Sequence, residues 1–158
     1  MPTPGGRGSE ASDGGDAVHF AADPAIGYRA RVVRVIDGNT LDLETDLGSR
    51  VMLLLRCRLD GIEAPALDDP DPEERRVAEH AKDFVEVLVL GKEVVVYISG
   101  DRPDEHGRWL AVVFWRDAAG DWSNLNDDLV ENGLAAPVPS GDAESVSCAK
   151  KAHEQIAR

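Results

Sequence analysis

The sequence predicts a mainly β protein of the α+β class: a five-stranded OB-type barrel with about three helices. Three observations carry this. Five short β-rich runs are separated by turn residues, one amphipathic helix falls between the third and fourth runs, and two further helical segments follow the fifth. Three strands, a helix, two strands and two helices is the order of an OB-type barrel, with other small barrels open as alternatives.

Each element has a local reason. "YRARVVRVID" (28–37) is β-rich and roughly alternating. "TLDLET" (40–45) puts Leu41 and Leu43 on one face and Asp42 and Glu44 on the other, because strand faces repeat every two residues. "DLGS" is a turn, and "RVMLLLRCRLDGI" (50–62) reads as one long, centrally buried strand with Arg56 and Arg58 on the same side. In "DPDPEERRVAEHAKDFVEVLVLGK", Asp71 caps a helix, Pro72 suits its first position and Glu74 suggests a capping box. Val77, Ala81, Phe84, Val85 and Leu88 recur at helical spacing, and Gly91 supplies a left-handed stop. "EVVVYIS" (93–99) and "WLAVVFW" (109–115) are the fourth and fifth strands, joined by the polar loop "GDRPDEHGR". "GDWS" reads as a turn. "NLNDDLVENG" is a short helix with Leu125, Leu129 and Val130 inward and Gly133 as its stop. A last helix is expected over about 142–157, with Cys148, Ala149, Ala152 and Ile156 on one side.

Composition narrows the function. A chain of 158 residues makes one domain with a real core. Residues 1–27 are rich in Gly, Pro, Ala, Ser and Asp without periodicity, and read as a flexible acidic arm ahead of a domain over 28–158. Were this arm held in place, a protein partner would be needed to hold it. The formal charge is −13, from 30 acids against 17 bases, and a generic grip on phosphate backbones needs a basic face. Nucleic acid is therefore a disfavoured partner. Only four of the bases are lysine, a pattern that suits high salt or serves simple solubility. Cys57 and Cys148 read as two small core or near-core residues in a reducing compartment. No apolar run has signal-peptide or membrane-spanning length, so the expectation is a cytoplasmic protein, or one within an assembly such as a virion, with no membrane.

Four stretches, "VIDGNTLDL", "RLDGIEAPAL", "DEHGRWLAVVF" and "NLNDDLVENGLA", occur in order, each on its expected element. Together they resemble the staphylococcal nuclease (thermonuclease) family from about Tyr28 to Arg158. The resemblance implies a Ca²⁺-dependent phosphodiesterase acting on DNA and RNA. In that family two aspartates and a backbone carbonyl hold calcium, a glutamate serves the attacking water, and two arginines bind the phosphate. The chemistry demands those types: calcium takes oxygen ligands, water needs a proton acceptor, and phosphate matches the guanidinium fork.

Carried over residue by residue, the arginines fall on Arg58 and Arg108. The first metal aspartate falls on Asn39, an amide, and the second on Glu63, one methylene longer. The carbonyl position falls on Ala64, and Asp37 matches an aspartate near the metal. The base glutamate falls on Ala66, which has no proton acceptor. Asp60, Asp68 and Asp69 are close enough in sequence to stand in. Calcium binding should be weakened, because affinity follows the number of charged ligands.

Plainer readings stand beside these. Asp37-Gly38-Asn39-Thr40 is good hairpin chemistry. Arg58 and Arg108 also suit ion-paired or loop roles. His106 reads as a solvated loop residue, and Trp109, Trp115 and Trp122 as barrel packing. The sequence favours a non-catalytic binding or scaffold module with a degenerate site. The alternatives are a working nuclease with rearranged ligands and a nucleotide- or phosphate-binding module.

Overall fold

The computed structural model describes residues 25–100, 102–140 and 143–157, without the side chains of 143–145, 156 and 157. The expected arm, apart from residues 25–27, and the side chain of Ile156 lie outside the described residues.

Strands β1 (Tyr28–Asp37), β2 (Thr40–Asp46), β3 (Met52–Leu59), β5 (Glu93–Ser99) and β6 (Trp109–Arg116) form a sheet in the order β3-β2-β1-β5-β6. A parallel β3–β6 pairing, Cys57 to Trp109 through Leu59 to Ala111, closes it into a barrel. All the other barrel contacts are antiparallel. The prediction of a closed five-stranded barrel with three helices holds. Val32, Leu41, Leu43, Cys57, Leu59, Val96 and Val113 fill its interior, each fully buried.

Helix α1 (Pro72–Val89) covers one end. Asp71 caps it by accepting from the Glu73 N–H at 3.0 Å. The capping box does not form, because the Asp71 N–H donates instead to the Asp69 carboxylate, at 2.9 Å. The buried stripe is Ala78, Ala81, Val85 and Val89, while Val77, Phe84 and Leu88 flank it half-buried. Small alanines at the centre bring the helix axis close to the barrel. The Gly91 N–H bonds to the Val32 carbonyl at 2.8 Å, tying the helix exit to β1.

Two runs differ from the sequence reading. The long third strand breaks at Asp60–Gly61, where Gly61 has φ of 82°. Beyond the break, Ile62–Glu63 forms β4, which pairs with β8 (Ala136–Pro137). Trp122–Asn124 is a short strand, β7, on the edge of β6. A two- or three-residue strand shows too few alternations to be seen in a sequence.

Helix α2 (Leu125–Glu131) buries Leu125 and Leu129 as expected, with Val130 half-buried. It also buries Asn126, whose amide donates to the carbonyls of Asp60 at 2.9 Å and Ala111 at 3.1 Å. The Asn126 Oδ1 accepts from the Val113 N–H at 3.2 Å. Helix α3 (Ala143–Ala157) packs Ala149 and His153 over the outer face of β5 and β6. Cys148 is half-buried beside them. Both cysteines are free, and burial pushes the Cys57 thiol up to about 12.

Candidate functional site

The barrel seam gathers the predicted residues. Thr40 lies opposite Arg58 on β3, and Arg58 lies opposite Leu110 on β6. Asn39 directly precedes Thr40, and its carbonyl accepts from the Leu59 N–H at 2.8 Å. Arg108 directly precedes β6, two residues before Leu110, and so lies at the same end of the seam as Arg58. Asn39, Arg58 and Arg108 therefore share one end of the barrel.

The Asp37–Thr40 turn is built for close approach. The Asp37 carboxylate accepts from the Asn39 N–H at 3.0 Å. Gly38 is buried, and a Cβ there would lie 2.6 Å from Ala81 Cβ and 3.3 Å from Ala64 Cβ. The glycine is needed for space against α1, rather than for a left-handed backbone as hairpin chemistry suggested. The same contact brings Ala64, and with it Glu63, beside the turn. The residues carried over from the family resemblance thus come from three elements that do meet: the β1–β2 hairpin, the segment leaving β4, and the β3–β6 seam.

The two arginines differ in their surroundings. Arg108 is held by Asp104, whose carboxylate accepts from its Nε at 3.0 Å and its backbone N–H at 2.9 Å. Burial acts to raise the Asp104 carboxyl, but the N–H groups of Arg108 and His106 and the Arg108 guanidinium outweigh it and hold the pKa below the ordinary value. Arg58 makes no such pair with a described residue. Its neighbour Arg56 is occupied, forked onto Asp42 at 2.8 and 3.1 Å. His106 is exposed, as expected.

Asn39 is only 7% exposed, and its amide oxygen accepts a long bond from the Thr40 hydroxyl at 3.5 Å. Glu63 is exposed on β4, and Ala66 is exposed in the loop that follows. Asp60 is buried and receives the Ser140 hydroxyl at 2.8 Å, beneath α2. The Asp69 carboxylate is engaged in the cap of α1. Among the described residues, no three His, Cys, Asp or Glu side chains cluster so as to hold a metal ion. With a neutral amide at 39, these donors offer a calcium ion less charge than the family's two aspartates do.

Sequence reasoning missed Asp104 and Asn126. The Asp104 signal was present as an acid four residues before Arg108 across a glycine turn, the spacing of an Asx-type loop.

The strand order and closure define an OB-type barrel, with the gathered residues at the mouth where the β1–β2 hairpin meets the β3–β6 seam. Residues 56–156, well over half of the chain, match the family model described as staphylococcal nuclease homologue, and the chain belongs to that family. No curated protein matches it. Among the described residues, no helix is long and apolar enough to cross a membrane.

Proposed function

We propose that this is a staphylococcal-nuclease-like domain that binds rather than cuts, serving as a recognition or scaffold module within a larger assembly. The observation that carries this reading is the methyl group at Ala66, where the family's base glutamate stands. General-base assistance contributes about 10²–10⁴-fold to a rate, and alanine supplies none. Of the neighbouring acids, Asp60 is buried against Ser140 and Asp69 is taken up by the Asp71 N–H ahead of α1, which leaves Asp68, exposed in the loop, as the remaining stand-in. The metal position is weakened in step, because Asn39 brings no charge.

A protein partner suits the neighbouring surface better than a phosphate chain does. A groove of about 580 Å³ lies between α1 and the β4–β8 ribbon. Ala66, Val77, Leu134 and Val138 give it apolar walls, and Glu63, Asp69 and Glu74 give it acids without a lysine or arginine. Such a surface repels phosphate and accepts apolar or cationic side chains.

One observation favours a second reading. Arg58 on β3 and Arg108 just ahead of β6 stand at the same end of the β3–β6 seam, a pair suited to a phosphate group. A domain using them would bind nucleotide without hydrolysing it.

Incubation of the purified protein with single-stranded DNA and RNA, in calcium, magnesium or chelator, tests both readings. The expectation is no metal-dependent cleavage. Cleavage that needs metal and is lost in Arg58→Ala or Arg108→Ala would establish a working nuclease and overturn the proposal. Stabilisation of the fold by a millimolar nucleoside bisphosphate, lost in the same variants, would select the nucleotide-binding reading.

A further inference from the structure

Helix α3 docks on the barrel through Ala149, Val146, Ala152 and one buried polar side chain, His153. His153 is 3% exposed. Its ring lies flat on Phe114, with centroids 3.9 Å apart and planes within 11°. Trp122 meets it edge-on at 4.7 Å and Tyr97 at 5.7 Å. Nδ1 sits 2.9 Å from the Tyr97 hydroxyl, while Nε2 is buried with no hydrogen-bond partner among the described residues.

A neutral imidazole in this box leaves one nitrogen unsatisfied, which is already a cost. A second proton would make both nitrogens donors and add a positive charge. The face of Phe114 offsets part of that charge, but no described residue receives the Nε2–H. The surrounding groups give little relief. From β5 comes Tyr97, whose phenol burial pushes up to about 12, so it stays neutral. From β6 and β7 come Phe114 and Trp122, which do not titrate. From α2 comes Asp127, already paired with Lys150 of α3 at 3.4 Å. Lys150 and Glu154 border, with His153, a cavity of about 280 Å³. Glu154 itself is exposed.

We propose that His153 is an acid-sensitive clasp: protonation of its buried ring releases α3 and uncovers the apolar face of Tyr97, Val112, Phe114 and Trp122. Val112 is 1% exposed and Tyr97 fully buried, so undocking would present a face that is now hidden. Burial lowers the His153 pKa below the ordinary histidine value. The docked state therefore takes up a proton less readily than the undocked one. The contribution of His153 to docking is full well above the free-histidine value of about 6.5 and falls as the pH drops below it.

Hydrogen exchange of the full chain tests this, read as protection factors so that intrinsic exchange rates cancel. Between pH 7.5 and 5.5 the α3 amides should lose protection relative to those of the barrel, by up to about tenfold, the limit set by one free-state histidine. His153→Phe keeps the stacked ring and removes the proton, so its α3 protection should not change with pH. Should that variant fail to fold, the ring resonances of the natural protein serve instead, and the docked His153 should remain neutral below the free-histidine value of about 6.5. Equal α3 protection at both pH values, an unchanged pH response in His153→Phe, or a His153 that titrates at the free-histidine value of about 6.5 with α3 still protected would each overturn the proposal.

Discussion

The Asp104 carboxylate holds Arg108 twice, through the guanidinium Nε at 3.0 Å and the backbone N–H at 2.9 Å. The second bond shapes the loop leading into β6, and the first aims the side chain. Removing the acid should therefore loosen both loop and arginine. Asp104→Ala should cost on the order of 1 kcal/mol at neutral pH, measured by urea unfolding. The folded-state pKa is depressed, so this stabilisation is present above the unfolded value of about 3.9 and is lost as the pH falls through the folded one. The gap between the natural protein and the variant should narrow as the pH falls below about 3.9. A gap that persists there would mean the carboxylate charge is not its source.

If the missing acids are what silence the site, restoring them should restore activity. The double variant Asn39→Asp with Ala66→Glu returns a charged oxygen and a proton acceptor to a mouth that still has Arg58 and Arg108. Calcium-dependent cleavage of single-stranded DNA should rise by about 10²–10⁴-fold over the background of the natural sequence. No rise in a folded double variant would place the defect elsewhere, with the acidic groove and the Asp104 grip on Arg108 as the next suspects.

The barrel was legible because its strands alternate cleanly. Leu41 and Leu43 face the core, and Asp42 meets Arg56 on the outside. Helix α1 was legible from its cap and its spacing, although the buried stripe centres on Ala78 and Ala81, small residues that hydrophobic periodicity underweights. The site residues could be placed only through family resemblance, since Asn39 and Ala66 carry no chemical signal of their own. His153 escaped notice as a core residue. A histidine four residues after Ala149 looks polar in a pattern and becomes an anchor only when Phe114 and Trp122 are brought against it. Asn126 escaped for the same reason, because its three partners lie on segments distant in sequence.

Asn126 ties α2 to the barrel through three buried bonds, to the Asp60 and Ala111 carbonyls and the Val113 N–H. Replacing it by leucine should strip the Asp60 carbonyl and the Val113 N–H of this partner, while the Ala111 carbonyl keeps the Asp60 N–H, and a cost of about 3 kcal/mol follows from the desolvation of buried polar groups. Asn126→Asp keeps the acceptor for Val113 but removes both donors and adds a charge, so it should be no milder. Denaturant midpoints at constant slope would measure both. A loss below about 0.5 kcal/mol in either would mean that water replaces the amide.

Gly38 and Ala81 form the tightest steric relationship at the candidate site. A methyl at 38 would lie 2.6 Å from Ala81 Cβ, inside any tolerable carbon–carbon distance. Gly38→Ala should therefore push the β1–β2 hairpin off α1, at a cost of about 1–3 kcal/mol, typical of overpacking. Ala81→Gly alone should cost about 1 kcal/mol in helix propensity. Combined, the two changes should destabilise by less than their sum, because the glycine in α1 makes room for the methyl on the hairpin. A double-mutant cycle reads that difference directly, and a coupling of 0.5 kcal/mol or more is the expected sign of contact. Strict additivity would show that Gly38 serves the turn's backbone rather than its packing, and the hairpin carrying Asn39 would then be positioned by its own hydrogen bonds instead of by the helix.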